Sequence, residues 1–160
     1  MKPERKKNRL ESYDYSSNGD YFITVCVSDF EELLSDVSPD GELTLTHIGC
    51  VVENAIKEIE SHYDGVFLRN CVIMPNHVHL LLSLRADLDE RYKLPNISSV
   101  VGSFKSNVSK RINMKIWQKS FYDHVILYDE EYDNIYDYID ANPLVWNRDK
   151  LNRRIFRDLK

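Results

Sequence analysis

Residues 66–84 read Val66-Phe67-Leu68-Arg69-Asn70-Cys71-Val72-Ile73-Met74-Pro75-Asn76-His77-Val78-His79-Leu80-Leu81-Leu82-Ser83-Leu84. Two apolar runs, 66–74 and 77–84, flank Pro75-Asn76, a pair suited to a tight turn. So short a link makes the two strands neighbours of opposite direction. The second run is almost continuously apolar, which predicts a central strand covered on both faces.

Working outward, Ile48, Val52, Ala55, Ile56 and Ile59 recur at three- and four-residue intervals. They predict an amphipathic helix from Thr46 to near Tyr63, broken by Asp64-Gly65. Upstream, Tyr21 to Val27 is β-branched and aromatic and predicts a strand. Residues 29–40 read as a loop ending at Pro39-Asp40-Gly41, with a short strand from Leu43 to Leu45 behind it. Downstream, 85–95 read as a loop and Ile97 to Met114 as a helix with Val100, Val101, Phe104 and Val108 inward. Residues 117–128 read as a short strand or extended segment. Asp129 is placed to cap a last helix, Glu130 to Ala141, which Pro143 stops. Strand–helix–strand–strand–helix order predicts an α+β fold of ferredoxin-like type, an antiparallel sheet with helices packed on it. That fold hosts many functions and decides none.

A chain of 160 residues fits one domain. The expected division is a mobile basic arm (1–12), one domain (13–147) and a basic tail (148–160). No run approaches the ~20 apolar residues of a membrane span, so no membrane partner is expected. The basic start has no apolar stretch behind it, so it does not read as a secretory signal, and a cytoplasmic location follows. Cys26, Cys50 and Cys71 are odd in number and far apart. They read as small buried hydrophobes in a reducing compartment rather than as disulfides or zinc ligands. The net charge of -5 argues against a polyanionic partner, but its distribution argues otherwise. Residues 1–9, with Arg5, Lys6 and Lys7, carry +4, and residues 148–160 carry +4. Between Glu90 and Asp123 there is no carboxylate side chain, while Lys105, Lys110, Arg111, Lys115 and Lys119 are all present. Such local patches suit phosphate contacts with DNA.

His77 and His79 alternate on one strand face, with Val78, Leu80 and Leu82 opposite. Taken alone they read as half-buried polar residues or as two imidazole ligands of one metal ion. On the last helix Tyr132, Ile135, Tyr136 and Ile139 form the apolar stripe. Tyr138 lies off it, with Asn142 one turn beyond on nearly the same face. Alone, that pair reads as a surface tyrosine and a helix-ending amide. Together with the histidines it makes a chemical set. Two imidazoles and an amide oxygen suit a divalent metal ion, Mn more comfortably than Mg. A tyrosine beside that ion is placed to attack a phosphodiester. Trp117 and Phe121 read as core rather than as base-stacking platforms. His124 reads as a hydrogen-bonded structural residue.

Five blocks now carry a resemblance: DYSSNGDYFITVCV (14–27), VIMPNHVHLLL (72–82), VGSFKSNVSKRIN (101–113), IWQKSFYDHVI (116–126) and YIDANPLVW (138–146). Their content and order resemble the HUH single-tyrosine transposases of the IS200-like group, closest to the REP-associated tyrosine transposases. The resemblance implies His77, His79 and Asn142 as ligands of Mg or Mn, and Tyr138 as nucleophile. It implies nicking and rejoining of single-stranded or hairpin DNA through a 5′-phosphotyrosine, and it allows a homodimer. No GxxxxGK[ST] loop is present, in keeping with chemistry that needs no ATP. A catalytically idle, domesticated hairpin-DNA-binding protein is the alternative. A two-histidine phosphoesterase would need a second Hx[ST] motif, which His47, His62 and His124 do not head.

Overall fold

The computed structural model describes residues 18–86 and 93–153. The basic arm with Arg5, Lys6 and Lys7, and the tail beyond Arg153, lie outside the described residues. In chain order the elements are β1 (Gly19–Cys26), β2 (Ser35–Val37), β3 (Leu43–Leu45), α1 (His47–Lys57), α2 (Ile59–His62), β4 (Val66–Met74), β5 (His77–Leu84), α3 (Ile97–Ile112), β6 (Tyr122–Ile126) and α4 (Asp129–Ala141). The main sheet runs β4-β5-β1-β6, every pair antiparallel, and β2 and β3 form a separate ribbon. This is the expected ferredoxin-like order, with α1 and α3 on one face and α4 added on the other.

The period-2 alternation of β5 divides the two faces. Val78, Leu80, Leu82 and Leu84 join Tyr21, Ile23 and Val25 of β1 beneath Val52, Ile56, Val100, Phe104 and Val108 of the helices. Each such aliphatic side chain, fully buried, contributes roughly 1.5–3 kcal/mol. Trp117 and Phe121 pack on this core, as expected. The other face holds a smaller apolar cluster, Leu81, Ile126 and Ile139, with Phe22, Val72, Tyr132 and Ile135 against it.

Several expectations are corrected. The 29–40 loop contains β2, held by a Ser35 hydroxyl that donates to the Ile73 carbonyl at 2.9 Å; three residues are too few to show a period. The 46–63 helix divides at Glu58, whose carboxylate accepts from Asn107 and Arg111 of α3. Helix α3 ends two residues early, at Asn113 in the left-handed region (φ 53°). Helix α4 begins at Asp129 itself, and Tyr128 makes no side-chain cap. The α-helix does end at Ala141, before Pro143, as expected, but the chain winds on. Pro143 sits in the first turn of a 3-10 helix, Asn142–Arg148, where its missing N–H costs nothing. Cys26 is buried and Cys71 partly so, but Cys50 is exposed on the outer side of α1. Among the described residues no helix is long and apolar enough to cross a membrane.

Candidate metal and nucleophile site

On β5, His77 and His79 share the face crossed by α4, with ring centroids 4.6 Å apart. Both are buried, at 0% and 3% exposure. Their outer nitrogens are fixed by neighbours. Asn76 in the hairpin turn donates through Nδ2 to the Leu151 carbonyl at 2.7 Å. Its Oδ1 therefore faces His77 Nδ1, 2.8 Å away, and that nitrogen must carry the proton. His77 Nε2 is left as the lone pair. Thr24, directly opposite His79 across the β1–β5 ladder, places its hydroxyl 2.8 Å from His79 Nδ1.

Helix α4 is seated by Ile139 and by Asn70, whose amide donates to Tyr136 O and Asp140 Oδ1. Tyr138 then lies over the site, its ring 5.6 Å from His79 and 6.2 Å from Phe22. It is 42% exposed, so solvent reaches one side of the phenol. Asn142 was expected to face away from the core beside Tyr138. It is instead fully buried, because it falls near the Ile135–Ile139 side of the helix and the 3-10 turn folds back over it. Trp146 of that turn packs on His77, with ring centroids 6.0 Å apart. Tyr136, assigned to the apolar stripe, is 38% exposed at the sheet's edge.

Three buried atoms converge here without a hydrogen-bond partner: His77 Nε2, His79 Nε2 and Asn142 Oδ1. Burying acceptors unsatisfied costs free energy unless something else binds them. All three are neutral donors of the kind a divalent transition metal accepts. Among the described residues no group of three His, Cys, Asp or Glu side chains forms a metal cluster, and the third partnerless atom beside the two imidazoles is an amide oxygen. Burial pushes the His77 imidazole down to about 4, against the opposing charge of Asp149 and a contact with Asn142. Burial, then the neighbouring His77 and Lys150, hold His79 well below its ordinary value. Both rings are thus neutral at neutral pH, the ligating form. Burial and then Asp149 raise the Tyr138 phenol, while its contact with Asn142 opposes them.

The basic residues are placed elsewhere. Helix α3 packs on the opposite face of the sheet, so Lys105, Lys110 and Arg111, with Lys115 just beyond its end, do not share the face of the His pair. Lys105 donates to the Gln118 carbonyl at 2.7 Å, and Arg111 pairs with Glu58 at 2.5 Å. Lys110 and Lys115 are exposed. His124 bonds Glu131 and so ties β6 to the first turn of α4, as a structural histidine would.

Thr24, Asn76, Trp146 and Asp149 belong to the site but were not singled out from the sequence. Asn76 alone left a signal, an amide beside a ligand-type histidine in a turn. Asp149 accepts from Asn142 Nδ2 at 3.4 Å and from the Leu151 N–H at 2.8 Å.

No family model matches the chain. An uncharacterised protein of Haemophilus influenzae is 31% identical over 167 residues, covering 92% of each chain. A second Haemophilus influenzae protein, named provisionally as a REP-associated tyrosine transposase, is 27% identical over 142 residues, 82% of this chain and 73% of its own. Among solved structures, a REP-associated tyrosine transposase bound to a REP hairpin superposes with TM-score 0.63 at 24% identity, over 85% of this chain and 73% of its own. A provisionally named transposase from Deinococcus radiodurans superposes with TM-score 0.50 at 16% identity, over 83% and 95%. The two structures share the fold.

Proposed function

We propose that the chain is a tyrosine transposase of the REP-associated, IS200-like kind and that it nicks and rejoins single-stranded DNA beside hairpins. The observation that carries this reading is the convergence of three partnerless buried donors next to a half-exposed phenol. His77, His79 and Asn142 would hold Mg or Mn; when bound, the ion offsets charge on the scissile phosphate and orients it.

The chain's own residues do the rest. Tyr138 Oη attacks phosphorus in line with the departing 3′ oxygen. The Oη–P bond forms as the P–O3′ bond breaks. The phenolic proton passes to water on the exposed side, and the leaving strand ends in a 3′-hydroxyl. The 5′-phosphotyrosine keeps the phosphodiester's free energy, so a 3′-hydroxyl can reverse the step without ATP. Phe22 of β1 meets the Tyr138 ring edge-on, with centroids 6.2 Å apart. Thr24 and Asn76 hold the imidazoles in place as such outer partners do for metal-bound histidines.

The test is a denaturing gel with single-stranded DNA carrying a hairpin, labelled on the 3′ side of the cleavage site, plus Mn²⁺. A protein-linked label is expected from the parent and none from Tyr138→Phe. Mapping the adduct to Tyr136 or Tyr132 would reassign the nucleophile. Tight hairpin binding with no adduct at any metal concentration would favour the idle DNA-binding protein.

A further inference from the structure

The three donors His77, His79 and Asn142 are all neutral. A dication held among buried neutral ligands lacks the anion that makes such burial favourable. Beside them lies a carboxylate with no part in the chemistry above. Asp149 is 8% exposed and sits where the 3-10 turn ends, its backbone N–H donating to the Trp146 carbonyl at 3.1 Å.

We propose that Asp149 is a positioning residue of the metal centre: it turns the Asn142 amide so that Oδ1 faces the imidazoles, and it supplies the negative charge that the ligands lack. The inference rests on the metal-centre reading above. An asparagine amide can present either its oxygen or its NH₂ in the same outline. A carboxylate only accepts, so the Asn142 group that faces Asp149 at 3.4 Å must be the NH₂. The oxygen is then turned inward, and it is this oxygen that lacks a partner.

The arrangement closes a chain of hydrogen bonds that links two of the ligands. His77 Nδ1 meets Asn76 Oδ1, Asn76 Nδ2 donates to the Leu151 carbonyl, the Leu151 N–H donates to Asp149 Oδ1, and Asp149 Oδ2 accepts from Asn142. A shift at Asp149 is thereby felt at both His77 and Asn142. Its charge also acts on His77 and Tyr138, opposing the fall of one pKa and adding to the rise of the other.

The test is Mn²⁺ binding by the full chain without DNA, followed by calorimetry and by the resonance of free Mn²⁺. Asp149→Asn keeps the shape and removes the charge and the constraint on the amide. It should bind Mn²⁺ roughly 10–100-fold more weakly, while the metal-free unfolding temperature stays near the parent's. The double variant Asn142→Asp with Asp149→Asn carries the charge to the ligand itself and should recover most of the affinity. Asp149→Asn binding as tightly as the parent overturns the role, and so does a double variant no better than the single one. A parent that binds no Mn²⁺ removes the metal centre itself, a different result from either.

Discussion

The two faces of the sheet are built for opposite ends. Under α1 and α3, β1 and β5 present only apolar side chains, and the face buries a continuous core. Under α4 the same two strands present His77, His79, Thr24 and Ser83 beside a small apolar cluster. The apolar side chains buried on the first face lower the free energy of folding. On the second, three acceptors are buried without partners, which costs free energy in the metal-free protein. Adjacent residues of β5 thus differ in what they bury: Val78 and Leu80 join the apolar core, while His77 and His79 each keep a buried nitrogen without a hydrogen-bond partner.

The sharpest break of this contrast compares neighbours. His79→Ala should reduce covalent attachment to DNA by at least about 10³-fold, with the metal-free protein unfolding at close to the parent's temperature. Leu80→Ala, one residue on, should cost about 2–5 kcal/mol in urea unfolding, with attachment intact at temperatures where the protein stays folded. A large loss of stability in His79→Ala with attachment retained would make the His pair structural.

The pH dependence of the metal-free protein sharpens the same contrast. The folded-state pKa of His77 is depressed to about 4, and that of His79 is lowered in the same direction. Below the ordinary value near 6.5 the unfolded chain binds protons that the folded one does not. Stability is therefore full above about pH 6.5 and falls as pH drops toward 4, by about 3 kcal/mol for His77 alone. Urea midpoints across that window measure it. The same slope in a His77→Gln, His79→Gln variant would assign it to other groups.

The smallest effect concerns the helical face. If Lys110 and Lys115 contact phosphates, replacing both with Ala should flatten log K against log salt by ~1.4, at ~0.7 per single-strand contact. Stability should change by less than about 0.5 kcal/mol. Lys105 and Arg111 are engaged with Gln118 and Glu58, so they should add less to the slope. An unchanged slope would remove the α3 side from the DNA path.

What could be read from the sequence was what repeats. The 66–84 hairpin shows a turn signal between two apolar runs, and its strand bounds coincide with β4 and β5. The shared face of His77 and His79 follows from the period of two. The burial of Asn142 did not follow, because it depends on a 3-10 turn folding back, and no local period encodes that. Glu58 breaks a helix that its apolar spacing would continue, in company with partners on α3. Tyr136 satisfies the helical stripe yet is 38% exposed, its ring stacked on Tyr132 rather than buried in the core. Asp149 is an ordinary acid in a basic stretch until the chain's return brings it to Asn142.

The strand order has a consequence for how the molecule comes into being. The central strand β1 is made first, but its partners β5 and β6 come much later, and the bond between Thr24 and His79 spans 55 residues. The clamp from Asn76 to Leu151 spans 75. Contacts so distant along the chain slow folding, since loops must close before they are rewarded. The two imidazoles are near neighbours on one strand and come together with β5 itself. Tyr138 meets His79 and Phe22 only with the finished sheet, so the candidate site and the complete fold are reached in one event.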